Sequence, residues 1–177
     1  MIKCVYWGGP LSAATATNNG QYRRDFHVVI AGSNGYTSNS VAPQPGYQGP
    51  TYLGNAAIQA PLDCNGQDTY LTVKIFNDGP FDAGRCAAAC TATSQSNLAA
   101  GNPKTCQFFD TYMLYKNNQP VGQQCALYTE SWPPAFATNT GQYRGSDKYT
   151  IAYSFSFSNT TDNADKPVGC TNPTSPK

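Results

Sequence analysis

Charge is scarce in this chain. Of its 177 residues only 12% are charged, 11 Lys and Arg balance 10 Asp and Glu, and no run of like charges occurs. The basic stripe of a nucleic-acid-binding surface is therefore missing. No stretch approaches the roughly 18 consecutive apolar residues of a membrane-spanning helix, so no membrane span is expected. His27 is the single histidine, and the cysteines lack C-x-x-C spacing. Together they cannot complete a zinc site in the usual patterns, which leaves no metal ligands to name. Gly79 and Gly84 belong to no phosphate-cradling pattern and read as turn residues, so no cofactor is implied. Glu130 is the only glutamate. A serine hydrolase needs a base beside its nucleophile, and a glycosidase needs two carboxylates across a cleft. His27 lies in the apolar context His-Val-Val-Ile, and nothing in the spacing of Glu130, Asp110 and Asp147 selects a pair. The chain is read as non-catalytic, with no catalytic residues, and a small secreted hydrolase using Glu130 or Asp147 stands as the most distant alternative.

What the chain does have is seven cysteines, 12 tyrosines, and many Asn, Thr, Ser and Gly. That many cysteines without metal spacing point to a disulfide framework in an oxidising compartment: secreted, extracellular or in the cell wall. The polar composition is common in secreted β-rich proteins that live among polysaccharides. Met1-Ile2-Lys3 leads into Cys4 without the apolar run of a signal peptide. A disulfide protein needs a secretory route, so the expectation is that an N-terminal part precedes this sequence.

Residues 4–33 are repeated at residues 125–154 without a gap, at a constant offset of 121. Cys4 falls on Cys125, Ala16-Thr17-Asn18 on Ala137-Thr138-Asn139, Gly20-Gln21-Tyr22-Arg23 on Gly141-Gln142-Tyr143-Arg144, and Ile30-Ala31 on Ile151-Ala152. Such self-similarity marks an internal duplication. Only the second copy is preceded by Cys64, Cys86, Cys90 and Cys106. The chain therefore reads as the back end of one module (residues 1–40), a Pro/Gly-rich linker or long ordered loop (41–62), a complete module (63–158) and a polar tail (159–177). His27 corresponds to Lys148, so no chemistry is carried between the copies.

Local patterns place the elements. Residues 24–31 read as a strand buried on both faces near its end. Residues 69–76 alternate, with Leu71, Val73 and Ile75 on one face, as a half-buried strand does. Asp82 can cap a helix through Cys86, Ala87, Ala88, Ala89 and Cys90 and on toward Leu98. Residues 106–115 alternate again, with Phe109, Thr111 and Met113 opposing Phe108, Asp110 and Tyr112. Asn117-Asn118 and Gly122 turn the chain into Cys125-Ala126-Leu127-Tyr128. The last strand alternates Tyr149, Ile151, Tyr153, Phe155 and Phe157 with polar residues. The fold class is α+β and β-rich, an antiparallel sheet with one short disulfide-stapled helix.

Cys86 and Cys90, four apart on a helix, present both sulfurs on one face. Cys106 and Cys125 flank a hairpin whose arms lie about 5 Å apart. Packing that helix face on the hairpin lets the nested pairs Cys90 with Cys106 and Cys86 with Cys125 form. Cys86-x-x-x-Cys90, then Cys106-Gln107-Phe108-Phe109-Asp110-Thr111-Tyr112, then Gly122 and Cys125-Ala126-Leu127-Tyr128, resembles the PAN/apple-domain family over residues 64–158. The whole chain also resembles small secreted proteins of filamentous fungi that carry Thr-Asn-x-Gly-Gln-Tyr-Arg segments, a fungal likeness that names no activity. The PAN/apple resemblance implies a third bridge joining the module's ends, here Cys64 with Cys170, although Cys170 could instead open a further module. Cys4 corresponds to Cys125, whose partner Cys86 has no counterpart among residues 1–3, so Cys4 is expected to be free or paired between chains.

Asn159-Thr160-Thr161 fits the N-glycosylation rule. The Thr-Asn-x-Gly-Gln-Tyr-Arg segment is the best candidate binding surface, with Trp132 in the preceding loop. Tyr143 could stack on a sugar ring while Asn139, Gln142 and Arg144 hydrogen-bond around it. The plainer reading is a tight Asn-x-Gly turn entering a strand, with the tyrosine packed and the arginine paired to an acid. The resemblance implies a recognition module for carbohydrate or extracellular protein. The rival is a structural protein that self-associates through the unpartnered edge of its half module.

Overall fold

The computed structural model describes residue 5, residues 13–33 and residues 41–160. Ten strands and one helix follow in chain order: β1 (Gly20–Arg23), β2 (Phe26–Val29), β3 (Tyr47–Gly54), β4 (Ala57–Ile58), β5 (Tyr70–Phe76), α1 (Ala83–Ala99), β6 (Phe108–Lys116), β7 (Gln119–Tyr128), β8 (Ala137–Asn139), β9 (Gly141–Arg144) and β10 (Asp147–Asn159). The main sheet is antiparallel, ordered β3-β10-β6-β7-β5, with β9 pairing the first residues of β10. The protein is therefore β-rich α+β, with one α-helix among the described residues.

The helix begins and ends on local chemistry. Asp82 accepts the Gly84 N–H on its side chain at 2.8 Å, as a preferred N-cap does. Alanines fill the first half, and α1 runs 17 residues to Ala99, the full extension toward Leu98 that the sequence allowed. It stops where Gly101 takes a φ of 73° and the Asn102 N–H returns to the Asn97 carbonyl. Ala83, Cys86 and Cys90 form its buried stripe, packed on Phe109, Leu127, Phe155 and Phe157 of the sheet. Phe109 stacks on Phe157 with centroids 4.7 Å apart.

Two disulfides fasten this packing, Cys86 to Cys125 and Cys90 to Cys106, with Cα separations of 5.4 and 5.3 Å. Cys64 is also disulfide-bonded. The proposed Cys64–Cys170 pairing and the state of Cys4 fall on residues 4 and 170, outside the described residues. A buried amide adds a third tie. Gln123 on β7 accepts the Asp82 N–H at 3.0 Å and donates to the Asp82 carbonyl at 2.9 Å and to Thr111 Oγ1 at 2.8 Å. It docks the helix start on the sheet through the cap residue's own backbone.

The opposite face of the sheet carries a second core. Ile58, Phe108, Ala126, Tyr128, Trp132 and Phe136 cluster there under β4, which pairs with β8. β6 supplies both cores by simple alternation, Phe109 to the helix side and Phe108 to the other, as its spacing predicts. Asn117 and Asn118 have φ of 50° and 64°, the double left-handed turn that a two-residue hairpin demands.

Four local expectations are corrected. Residues 41–62 are no linker: they contribute β3, an outer strand on β10, and β4. Pro50 is tolerated in β3 because an outer strand need not donate every N–H. In β5 a bulge between Tyr70 and Thr72 breaks the alternation. Leu71 then packs with the helix-side core, while Ile75 is exposed. β2 is exposed along its whole length rather than buried. Asn159 is no tail residue, since it ends β10 and its N–H donates to the Gln107 carbonyl at 2.7 Å.

Removing the longer staple tests the helix-to-sheet attachment. Closing a loop with a sequence separation of 39 is worth about 4 kcal/mol in the chain-entropy model. The Cys86→Ala/Cys125→Ala double variant is expected to lose stability of that order in urea unfolding; a loss under about 1 kcal/mol would show that Cys90–Cys106, the Gln123 tie and packing seat α1 without this staple.

Candidate functional site

The expected surface segment forms the hairpin β9–β10, and its geometry follows from side chains that serve the backbone. Asn139 Oδ1 accepts the Gly141 N–H at 3.0 Å. Gly141 has a φ of 121°, and a Cβ there would lie 2.1 Å from the Tyr149 carbonyl oxygen, so only glycine fits. With its amide oxygen facing the guanidinium, Gln142 accepts from Arg144 Nε and Nη2, both at 2.8 Å. Arg144 also lies over the Tyr149 ring at 4.6 Å. The arginine is thus held by an amide and a ring, and by no acid among the described residues.

The first copy builds the same hairpin. Asn18 Oδ1 accepts the Gly20 N–H at 3.1 Å, and a Cβ on Gly20 would lie 2.1 Å from the Val28 carbonyl oxygen. Gln21 accepts from Arg23 at 2.8 and 2.9 Å. Every cross-strand pair of β1 and β2 has its counterpart in β9 and β10, from Gly20 opposite Val29 to Gly141 opposite Thr150. The shared segment is therefore explained residue by residue as a turn framework, the tyrosine excepted. Tyr143 is 70% exposed and Tyr22 77%. Tyr22 stacks on His27 at 4.3 Å, which gives the single histidine a surface contact.

Of the other expected residues, Trp132 is not on this surface. It is 4% exposed and its indole N–H donates to Thr69 Oγ1 at 2.9 Å, because the loop that carries it folds onto the second core. Tyr143 is thus the one wholly outward ring of the proposed set, with Gln142 and Arg144 exposed beside it and Asn139 half-buried.

The carboxylates are dispersed. Asp147 is bound to Lys116 at 2.7 Å, and that hydrogen bond, with another from Asn117, holds its carboxyl below the usual range. Asp110 lies six residues back along β6 from Lys116, about 20 Å at the strand rise, so these two acids do not face each other across a cleft. Among the described residues no group of three His, Cys, Asp or Glu converges on a metal-sized site.

Asp110 is a different feature, one for which the sequence held a signal: an acid between Phe108 and Tyr112 on the inward face of a strand. It is fully buried, accepts the Ile58 N–H on Oδ2 at 2.7 Å and the Ser154 hydroxyl on Oδ1 at 2.8 Å. It ties β4 to β10 through β6. Burial raises its pKa to about 7, against the lowering effect of the two donors. Tyr128, which donates to the Ile58 carbonyl at 3.1 Å, and Tyr112 are pushed up by burial first and by the Asp110 charge second.

No family model matches the chain, and no curated protein or solved structure matches it either. Among the described residues no helix is long and apolar enough to cross a membrane.

Asp110 sets a pH dependence with a definite sign. Its folded pKa of about 7 lies above the unfolded value of 3.8, so folding favours the protonated form. That stabilisation is full below 3.8 and lost as pH rises to 7, by up to about 4 kcal/mol at 1.36 kcal/mol per unit. Asp110→Asn keeps an acceptor for Ile58 and offers an amide N–H to Ser154. Urea unfolding across pH 4 to 8 should show a downward slope in the parent that the variant lacks; parallel curves would mean that Asp110 does not titrate there.

Proposed function

We propose that this chain is a secreted, non-catalytic recognition module that binds carbohydrate or protein outside the cell, at the cell surface or in the cell wall. Residues 63–158, with β3 and β4 added from residues 41–62, are read as one PAN/apple-like module, and residues 1–40 as a partial copy that keeps the hairpin. The helix held to an antiparallel sheet by Cys86–Cys125 and Cys90–Cys106 supports that likeness. Disulfides persist in oxidising compartments, which supports secretion.

The observation that carries the binding reading is the exposure of Tyr143 on a hairpin whose other shared residues are engaged internally. An aromatic ring with a polar rim suits the apolar face and hydroxyl edge of a sugar. Binding to a panel of cell-wall polysaccharides and their oligosaccharides tests it. Tyr143→Ala should weaken binding about tenfold, the loss of one stacking contact. Failure of the parent chain to bind any member of the panel would remove carbohydrate as the ligand.

One observation favours the assembly reading. β2 pairs only with β1 among the described residues, and Ile30 beyond it is 48% exposed, whereas its counterpart Ile151 is 5% exposed beside β6. An apolar, one-sided strand of this kind is a template for another chain. On this reading light scattering at low micromolar concentration shows oligomers that Val28→Lys disperses; a strict monomer sinks it.

A further inference from the structure

The main sheet ends in β5, which has β7 on one side and no strand on the other among the described residues. Between this strand and α1 runs a groove of about 540 Å³. Thr72 and Lys74 lie on its strand wall, Ala92, Thr93 and Ser96 on its helix wall, and Lys104 joins the lining. Lys74 is opposite Cys125, whose sulfur is bonded to α1, so Lys74 shares the helix-facing side of the sheet. The Lys104 carbonyl accepts from Asn97 Nδ2 at 2.7 Å, which fixes the loop after α1 against the helix end.

An edge strand of seven residues leaves alternate N–H and C=O groups facing outward, so it can accept a further strand about 4.8 Å away. A strand added there would lay every second side chain toward α1, whose Ala92, Thr93 and Ser96 are short enough to leave room. Among the described residues two lysines and no carboxylate line the groove, Asp68 at its end being turned back to accept the Tyr70 N–H at 2.9 Å. We propose that the β5–α1 groove is a binding site for an extended acidic peptide, which adds to the sheet as a strand on β5 and sets its carboxylates against Lys74 and Lys104. This is the backbone-ladder mode of recognition, in which main-chain hydrogen bonds give affinity and the charges select the sequence. A polysaccharide could meet the lysines but could not continue the ladder. The site is separate from the β9–β10 hairpin, so it extends recognition to a second class of ligand.

Fluorescence anisotropy of a fluorescein-labelled peptide of alternating glutamate and threonine, about eight residues long, tests the site on the full chain. The parent should bind it saturably, and Lys74→Glu/Lys104→Glu should weaken binding by about tenfold or more while accepting the same peptide with lysine for glutamate. Both lysines are at the surface, and an unchanged urea midpoint shows that the variant keeps the fold. Methylating the peptide's backbone nitrogens at one set of alternate residues should abolish binding, and methylating the other set should leave it. No saturation at millimolar peptide would overturn the proposal and leave Lys74 as a guard against edge pairing. Equal binding of both methylated peptides would also overturn it, because the ladder would then be absent. So would binding of acidic oligosaccharides that Lys74→Glu/Lys104→Glu abolishes, with the peptide ignored.

Discussion

The attachment of α1 to the β6–β7 hairpin is the constraint on which the rest of this structure depends. The helix is rich in alanine and has few large apolar side chains, so hydrophobic burial alone would hold it weakly. Two disulfides and the Gln123 amide replace the missing bulk, and they act at one end and the middle of the helix. Phe109, Leu127, Phe155 and Phe157 then close over cystines instead of over a leucine-lined helix. Because Ser94 also accepts the Cys106 N–H at 2.8 Å, the approach to β6 is set by the helix as well.

The second face follows from this. With one side of the sheet covered by α1, the residues that alternate with its core must be covered by something else, and β4, β8 and the Trp132 loop do so. The layer is thin, and a single buried carboxyl, Asp110, stitches it to two strands. A buried polar group with partners gives register and specificity more than net stability. That fits a two-residue strand such as β4, which has little ladder of its own.

Much of the helix, β6, β7 and the later strand is legible in the sequence. Asp82 before an alanine run, Cys86 and Cys90 one turn apart, and the alternation through Phe108 to Tyr112 are local signals, and local signals survive folding. β3 was not legible, because Pro and Gly speak for a loop unless the strand is known to lie at a sheet edge. Leu71 was misplaced for a related reason: a bulge shifts the alternation by one residue, and nothing in the sequence marks it. Gln123 had no signal, since its value lies in meeting the backbone of Asp82, 41 residues away.

The same division holds for the candidate surfaces. By itself the sequence determined the repeated segment and its Asn-x-Gly turn into a strand, because that turn spans few residues, whereas the Gln142–Arg144 pair, where an acid was expected, and the close carbonyl at Gly141 are read from the structure. Only the tertiary structure decided that Trp132 turns inward, that Tyr143 is left outward, and that β5 lies beside α1 with two lysines facing the gap. Those outcomes rest on which strands become neighbours across long stretches of chain, a choice made by the disulfides and by the burial of two cores at once.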